Sequence, residues 1–373
     1  MKSLRLEAPP GGPKKGSRNI VAVRDVSIPE VGPGMVLVKI LAAAFNRRDE
    51  WSALGLYPGL VYENSTLGCD ACGVVVDPAT LQPVDGSLQL LVPSRGWDSD
   101  PAGPEADLPG STFRNEFGGT GFAILGATRG VRGAGTFTEY IAVKSDQLVR
   151  APAHLDAVQA SALPCAALTA YRALFTKGQV QKGQNVLVTG IGGGVALYAL
   201  QLALAAGARV FVTGGSDQKI KRAIDLGASG GALYRDAEWT RKIKEQLPAE
   251  RPWLDCVVDS AGGDICAHSL RAGLRGGGRV VVLGATTAKP FSFTMREVLQ
   301  NVDLMGTTLG SAAEFSKCVR FVEEHKIVPI VDTVLDGLDD ALRGFELMAN
   351  SEKRGGGKVV VRIADAASTN ARV

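Results

Sequence analysis

The sequence predicts an α/β protein in two parts, one β-rich and one a doubly wound parallel sheet. Three observations predict it. The first third carries short Val/Ile/Leu runs separated by Pro, Gly and Asp clusters. From Asp156 onward, continuously apolar runs alternate with helical stretches, the pattern of a parallel sheet covered on both faces. A glycine cluster joins the first of those runs to the first of those helices.

In the first third the strand candidates are Ile20 to Val23, Val36 to Leu41, Gly73 to Val76, Leu88 to Val92 and Phe137 to Val143. The segment from Asp98 to Gly135 is dense in Gly and Pro and reads as a long surface excursion, a mobile lobe over a site. After Asp156, Asn185 to Thr189 is a strand and Gly194 to Ala206 a helix. Arg209 to Thr213 is the next strand and Ser216 to Leu226 the next helix. Ala232 to Tyr234, a charged helix near Glu238 to Gln246, Asp255 to Asp259, a helix near Cys266 to Ala272 and Arg279 to Leu283 continue the alternation. Right-handed crossovers make this a doubly wound fold. The tail adds an amphipathic helix, Phe315 to Glu324, and two β runs, Ile330 to Leu335 and Lys358 to Ile363. These runs are expected to return to the N-terminal β part, leaving the doubly wound unit as an insertion with a cleft beside it.

Length and composition bound the function. At 373 residues the chain fits two domains. A net charge of +3 gives no basic footprint for nucleic acid. The longest apolar stretch, Val195 to Ala206, falls short of the roughly 20 residues that span a bilayer. Six cysteines are too sparse for a disulfide scaffold, and the first residues show no apolar core of signal-peptide length. A soluble, cytoplasmic protein acting on a small molecule is expected.

The glycine cluster carries the first chemistry. Asn185 to Thr189 runs into Gly190-Ile191-Gly192-Gly193-Gly194-Val195-Ala196. Strict G-x-G-x-x-G spacing fails, and the fitting pattern is G-x-x-G-G-V-A. Its physical content survives. Glycines admit positive φ and let the backbone approach a pyrophosphate. The helix opening at Gly194 aims free N–H groups at that anion. A dinucleotide is therefore expected on Gly190, Gly193, Gly194 and Val195.

The end of the second strand selects the dinucleotide. A carboxylate there would bind both ribose hydroxyls and favour NAD. Here the strand ends Val212-Thr213-Gly214-Gly215-Ser216, with no carboxylate at its tip. Gly214 leaves room, Ser216 offers a donor, and Lys219 offers a cation one helical turn in. Tyr234 ends the next strand. This chemistry favours the 2′-phosphate of NADPH.

The N-terminal part carries Asn46-Arg47-Arg48-Asp49, Gly55-Leu56-Tyr57-Pro58-Gly59 and Leu67-Gly68-Cys69-Asp70, and the middle Ala162-Leu163-Pro164-Cys165. The glycine cluster follows, then Asp259-Ser260-Ala261-Gly262, Val282-Leu283-Gly284, the segment Met305 to Ser311 and the closing Gly357-Lys358-Val359-Val360. By the order and spacing of these motifs the chain resembles the medium-chain dehydrogenase/reductase superfamily, in its zinc-lacking quinone oxidoreductase and enoyl reductase branch; it is also similar to zinc-type alcohol dehydrogenase-like proteins. The resemblance implies a GroES-like β-rich catalytic domain, 1–155 completed by 317–373, and a Rossmann NADP(H)-binding domain, 156–316. It places Thr169 and Asn46 near the nicotinamide, Leu283, Gly284 and Ala285 near its carboxamide, and Ser260 among the cofactor-binding residues. Ser216, Lys219 and Tyr234 would take the 2′-phosphate end. Lys358 and the 306–311 segment would close the site. A homodimer through an edge strand near Asp303 to Thr308 is expected by analogy.

Zinc members of the superfamily hold the metal with a Cys, a His and a further Cys or Asp. Here Asn46 stands at the first position, Cys69 at the His, Asp70 at a usual Glu, and Cys165 at the third ligand. No metal is expected, although Cys69, Asp70 and Cys165 make up three donors. Small buried cysteines packing as apolar groups are the preferred reading of these positions. Without zinc, a reductase needs a positioned hydride donor and, at most, a proton source. The Tyr of the matching G-x-Y-P segment has that role in enoyl reductases, which makes Tyr57 the candidate acid, with Asn46 beside it; Tyr57 serves as well as a loop aromatic that shapes the pocket. The expected activity is NADPH-dependent reduction of an activated C=C, a quinone or a related carbonyl. The alternatives are alcohol–aldehyde interconversion at a non-standard metal and a catalytically silent NADPH-binding protein. The substrate would meet the loops near Trp51 to Glu63, Trp97 to Phe122 and Leu309.

Overall fold

The computed structural model describes residues 1–112, 121–286, 290–350, 352 and 354–364. The chain divides into two compact units. One is formed by the described parts of Met1–Cys165, Ser311–Arg354 and Lys358–Val373; the other by those of Ala166–Gly310 and Gly355–Gly357.

The first unit opens with β1 (Lys2–Glu7), β2 (Ile20–Asp25) and β3 (Met35–Ala44), then the short helix α1 (Arg47–Ala53). It continues with β4 (Ser65–Thr66), β5 (Asp70–Val76), β6 (Pro83–Leu91), β7 (Ser94–Arg95), β8 (Ala123–Ile124), β9 (Tyr140–Lys144) and β10 (Leu148–Arg150). Helices α2 (Ala157–Ser161) and α3 (Pro164–Tyr171) follow, and the boundary between units falls inside α3. Asp156 caps α2 by accepting from the Gln159 N–H at 2.8 Å.

The second unit alternates strand and helix: β11 (Asn185–Val188), α4 (Gly194–Ala205), β12 (Arg209–Gly214), α5 (Asp217–Asp225), β13 (Gly230–Leu233), α6 (Trp239–Glu245), β14 (Leu254–Asp259), α7 (Ile265–Arg271), β15 (Leu274–Val282), α8 (Met295–Leu299) and β16 (Asp303–Gly306). Among the described residues these strands form one parallel sheet in the order β13-β12-β11-β14-β15-β16. That is the Rossmann order, reversing between β11 and β14. Every residue of β11 and β14 is buried, as strands covered on both faces require. Phe211, Trp239, Ile243 and Val257 pack in the core of one face.

The tail returns to the first unit with α9 (Ala312–Glu324), β17 (Val331–Asp336), α10 (Gly337–Ala349) and β18 (Lys358–Arg362). β18 pairs with β3 and β17, giving the order β10-β6-β5-β3-β18-β17 with β9 also on β3. Chain ends more than 300 positions apart are thus neighbours in one sheet, as between Ala44 and Val360.

Three local expectations change. Phe137 lies outside β9: its carbonyl accepts from Leu4 and its N–H donates to Leu67, and its ring packs 4.4 Å from Phe45. The 98–135 stretch is not a surface lobe in its later part. β8 pairs with β7, and Leu125, Ala127 and Val131 are fully buried. The expectation for 113–120 lies outside the described residues. Helices α1 and α10 and strand β1 were not expected.

Candidate active site

Two sets of side chains carry the predicted chemistry, one in each unit. In the Rossmann unit the predicted residues gather at the carboxyl ends of β11, β12 and β14, where ligands bind doubly wound sheets. Gly190 has φ +67° and Gly192 φ +126°, conformations that a side chain resists. Gly193 is the N-cap of α4 and Gly194 its first residue, with no side chain capping the opening turn. The first N–H groups of α4 thus lack an intrahelical partner and suit an anion.

The tip of β12 holds the residues expected at the 2′-phosphate. A Cβ on Gly192 would fall 2.9 Å from Lys219 Cδ, so the Lys219 stem lies over the cradle. Ser216 caps α5, accepting from the Lys219 N–H at 3.4 Å. A Cβ on Gly215 would fall 2.7 Å from the Tyr234 hydroxyl, which places Tyr234 against the same turn. A Cβ on Gly214 would strike Ile220 at 2.9 Å, so that glycine serves close packing.

Sequence reasoning missed two features here. Arg222, one turn past Lys219, donates to the carbonyls of Gly355 and Gly356 at 3.2 and 2.9 Å. The Gly357 N–H donates to the Gly192 carbonyl at 3.2 Å, so this tail segment lies on the cradle. The spacing of Lys219 and Arg222 was the available signal, since residues three apart share a helix face. The second is Asp259, at the end of β14. Its carboxylate accepts from Thr189 Oγ1 at 2.6 Å and from the Ala261 and Gly262 N–H groups at 3.1 and 2.7 Å. Burial pushes its pKa up against those bonds. It fixes the turn carrying Ser260, whose carbonyl accepts from Thr286 at 3.1 Å. Leu283, Gly284 and Ala285 follow β15 beside this turn, with Leu283 N–H on the Asp259 carbonyl at 2.9 Å. Val195 is half-buried in the first turn of α4, and Thr169 is buried on α3.

In the β-rich unit, strand order builds a polar cluster. β5, β3 and β18 are adjacent, with Asp70 opposite Ala44 and Ala44 opposite Val360. Asn46 follows β3, Asp70 starts β5 and Lys358 starts β18. All three therefore meet at one end of the sheet. Lys358 Nζ donates to Asp70 Oδ2 at 2.8 Å and to Asn46 Oδ1 at 2.7 Å. Asn46 Nδ2 donates to Cys69 Sγ at 3.4 Å. Asp70 Oδ1 accepts from the Cys165 N–H at 2.8 Å and from Cys69 Sγ at 3.6 Å. The structure brings Asn46 and Lys358 together, on groups that sequence reasoning assigned to a metal question.

The charges are set by this arrangement. Burial works against the Lys358 ammonium, but the Asp70 charge and hydrogen bond outweigh it and the pKa rises. A hydrogen bond with Cys165 and burial push the Cys69 thiol well above its ordinary range. Both groups hold their protons at neutral pH.

Tyr57 is half-buried and lies under Arg48, whose guanidinium carbon is 4.4 Å from the ring centroid. Burial pushes the Tyr57 pKa up, Arg48 pulls it down, and the net shift is upward. Arg48 is buried on α1 and donates to the carbonyls of Leu125 and Gly126. Asp49, its neighbour, is fully buried and accepts from the Asn46 N–H at 2.8 Å.

Comparison with known proteins fits this geometry. Residues 194–324 match a family described as zinc-binding dehydrogenase. The zinc-type alcohol dehydrogenase-like protein YogA of Leptosphaeria maculans is 40% identical over 349 residues, covering 91% of this chain and 93% of that protein. The chain belongs to the medium-chain dehydrogenase/reductase superfamily. An acryloyl-coenzyme A reductase of Metallosphaera sedula, another similar protein, is 26% identical over 91% of this chain and 96% of its own. The crystal structure of an NAD-dependent alcohol dehydrogenase superposes with a TM-score of 0.80 at 29% identity, covering 98% of this chain and all of the other. As a medium-chain dehydrogenase/reductase, the chain is an oxidoreductase that uses a nicotinamide dinucleotide.

The family name raises the question of zinc. Cys69, Asp70 and Cys165 bring ligand atoms within 4.8 Å of one another. A catalytic zinc needs three protein donors. Both Asp70 oxygens and the Asn46 oxygen already accept hydrogen bonds, and the Asn46 nitrogen faces Cys69. Only the two cysteine sulfurs remain, one donor short of the three, so the donor set does not fit zinc. The glycine cradle does fit a dinucleotide, because side chains at Gly190 and Gly192 would require a strained backbone.

Proposed function

We propose that this oxidoreductase uses NADPH to reduce an activated C=C, a quinone or a related carbonyl without zinc. The observation that carries the reading is the engagement of every oxygen of Asp70 and Asn46 by hydrogen-bond donors, chiefly Lys358. That leaves the β-rich unit with proton and charge chemistry in place of metal chemistry. The similarity to an acryloyl-coenzyme A reductase supports C=C reduction.

Gly190, Gly193, Gly194 and Val195 would hold the pyrophosphate through backbone N–H groups and the dipole of α4. Ser216, Lys219 and Tyr234 would hold the 2′-phosphate, with Arg222 adding a second cation nearby. Thr169, Ser260, Leu283, Gly284 and Ala285 would line the nicotinamide end. Bound NADPH supplies the hydride.

Tyr57 supplies the proton in this reading. Its raised pKa keeps the phenol protonated at neutral pH, and Arg48 stabilises the phenolate left after transfer. Asn46 is held by Lys358 and presents its amide beside Cys69. Quinones need no dedicated protein acid, so they should tolerate loss of Tyr57 better than enones do.

A second reading, alcohol–aldehyde interconversion at an unusual metal, draws on the short spacing of Cys69, Asp70 and Cys165. Following NADPH and NADH oxidation over a panel of quinones, enones and aldehydes tests the proposal. Turnover of enones or quinones with NADPH is expected. Turnover of aldehydes alone, or tight NADPH binding with no turnover of any panel member, would overturn it.

A further inference from the structure

The site of the β-rich unit contains a cation of its own. Lys358 is only 3% exposed, yet its ammonium is charged and held by two oxygens from different strand ends. Asp70, fully buried, answers that charge on Oδ2 and spends Oδ1 on the Cys165 N–H and the Cys69 thiol. Asn46 is oriented by the same ammonium: with its oxygen on Lys358, its nitrogen must face Cys69. One lysine thus sets the donor and acceptor pattern of every neighbour.

We propose that the Lys358 ammonium is the resident cation of this site and that it bars divalent metal from Cys69 and Cys165. Three effects combine. The ammonium occupies the one carboxylate that would complete a ligand set with the two sulfurs. It turns the Asn46 amide so that a donor, which no metal accepts, faces the sulfur. Its charge repels a second cation, and burial leaves little water to screen that repulsion. A neutral side chain at 358 frees Asp70 and lets Asn46 turn over. The wild-type site is thus one substitution from a Cys/Cys/Asp metal site. The proposal shares with the functional reading the absence of a catalytic metal. Its test reads metal content rather than turnover, so either can fail alone.

The experiment compares wild type with Lys358→Met and Lys358→Gln, each produced in zinc-supplemented medium and dialysed. Metal is measured by plasma mass spectrometry. Cobalt(II) is then titrated in and the sulfur-to-cobalt charge-transfer band recorded. Wild type should carry no stoichiometric zinc and develop no band. The variants should take up cobalt stoichiometrically, with affinity about tenfold or more above wild type. Adding Cys69→Ser to either variant should abolish the band. Near-ultraviolet circular dichroism checks folding. Stoichiometric zinc in dialysed wild type would overturn the proposal, as would folded variants that gain no cobalt band. Should both variants fail to fold, the wild-type metal content decides.

Discussion

The guanidinium carbon of Arg48 lies 4.4 Å from the centre of the Tyr57 ring, with the guanidinium held there by the carbonyls of Leu125 and Gly126. A buried cation placed there favours the phenolate, and so eases proton release from a phenol that burial alone would hold back. Tyr57→Phe should lower kcat on enones by about a hundredfold or more while NADPH affinity stays near wild type. Arg48→Met should lower kcat too. It should also move the basic limb of the pH–rate profile to higher pH, because removing the cation raises the Tyr57 pKa further. Steady-state kinetics across pH checks both. Unchanged enone turnover in Tyr57→Phe would remove the phenol from the mechanism.

Lys219 and Arg222 share one face of α5 beside Gly192. If they receive a 2′-phosphate, their loss should cost NADPH and spare NADH. Lys219→Ala and Arg222→Ala should each raise the KM for NADPH by about tenfold, with the NADH value within a factor of about two. The measurement is cofactor kinetics at saturating substrate. A wild-type preference for NADH would reverse the coenzyme assignment and leave the cradle itself in place.

How much of this was legible depended on whether a residue's role is local. β11 and β14 could be read because burial on both faces writes a continuous apolar run. α10 also wrote a helical stripe, Leu338, Ala341, Phe345 and Met348, all buried. Gly344 breaks that stripe's appearance, and it is there because a Cβ would fall 2.3 Å from the Phe45 ring. α1 could not be read from periodicity at all. Its buried positions include Arg48, Asp49 and Glu50, charges that a surface helix would turn outward. The Asp70–Lys358 pair spans 288 positions, and no local pattern announces it. The sequence placed both residues near the chemistry by resemblance; the sheet order explains why they touch.

Gly126 sits under Arg48 with φ +102°, and a Cβ there would fall 2.3 Å from Arg48 Nη1. Gly126→Ala therefore meets both a strained backbone and a clash with a buried, hydrogen-bonded group. A loss of stability of about 1–3 kcal/mol is expected. The displaced guanidinium should leave Tyr57 unsupported. Enone turnover should then fall as it does in Arg48→Met, with NADPH affinity retained. Thermal unfolding and kinetics on the same preparation test this, and a variant with wild-type turnover would uncouple the Gly126 turn from the acid.

Asp49 gives the β-rich unit a pH dependence of definite sign. Burial raises its pKa from 3.8 to about 6, with Arg48 and the Asn46 N–H pulling the other way. The folded state thus holds a proton that the unfolded chain has released. Its contribution to stability is fully present below the unfolded pKa. It is lost as pH rises through the folded one, a window from about pH 4 to about pH 6. The shift corresponds to about 3 kcal/mol. Asp49→Asn cannot titrate, and its side-chain oxygen can still accept from the Asn46 N–H. Its stability should fall less steeply than wild type across that window, by about that amount, and run parallel above it. Urea unfolding midpoints at a series of pH values measure the difference. Equal slopes in the two proteins would mean that Asp49 is ionised in the folded state throughout.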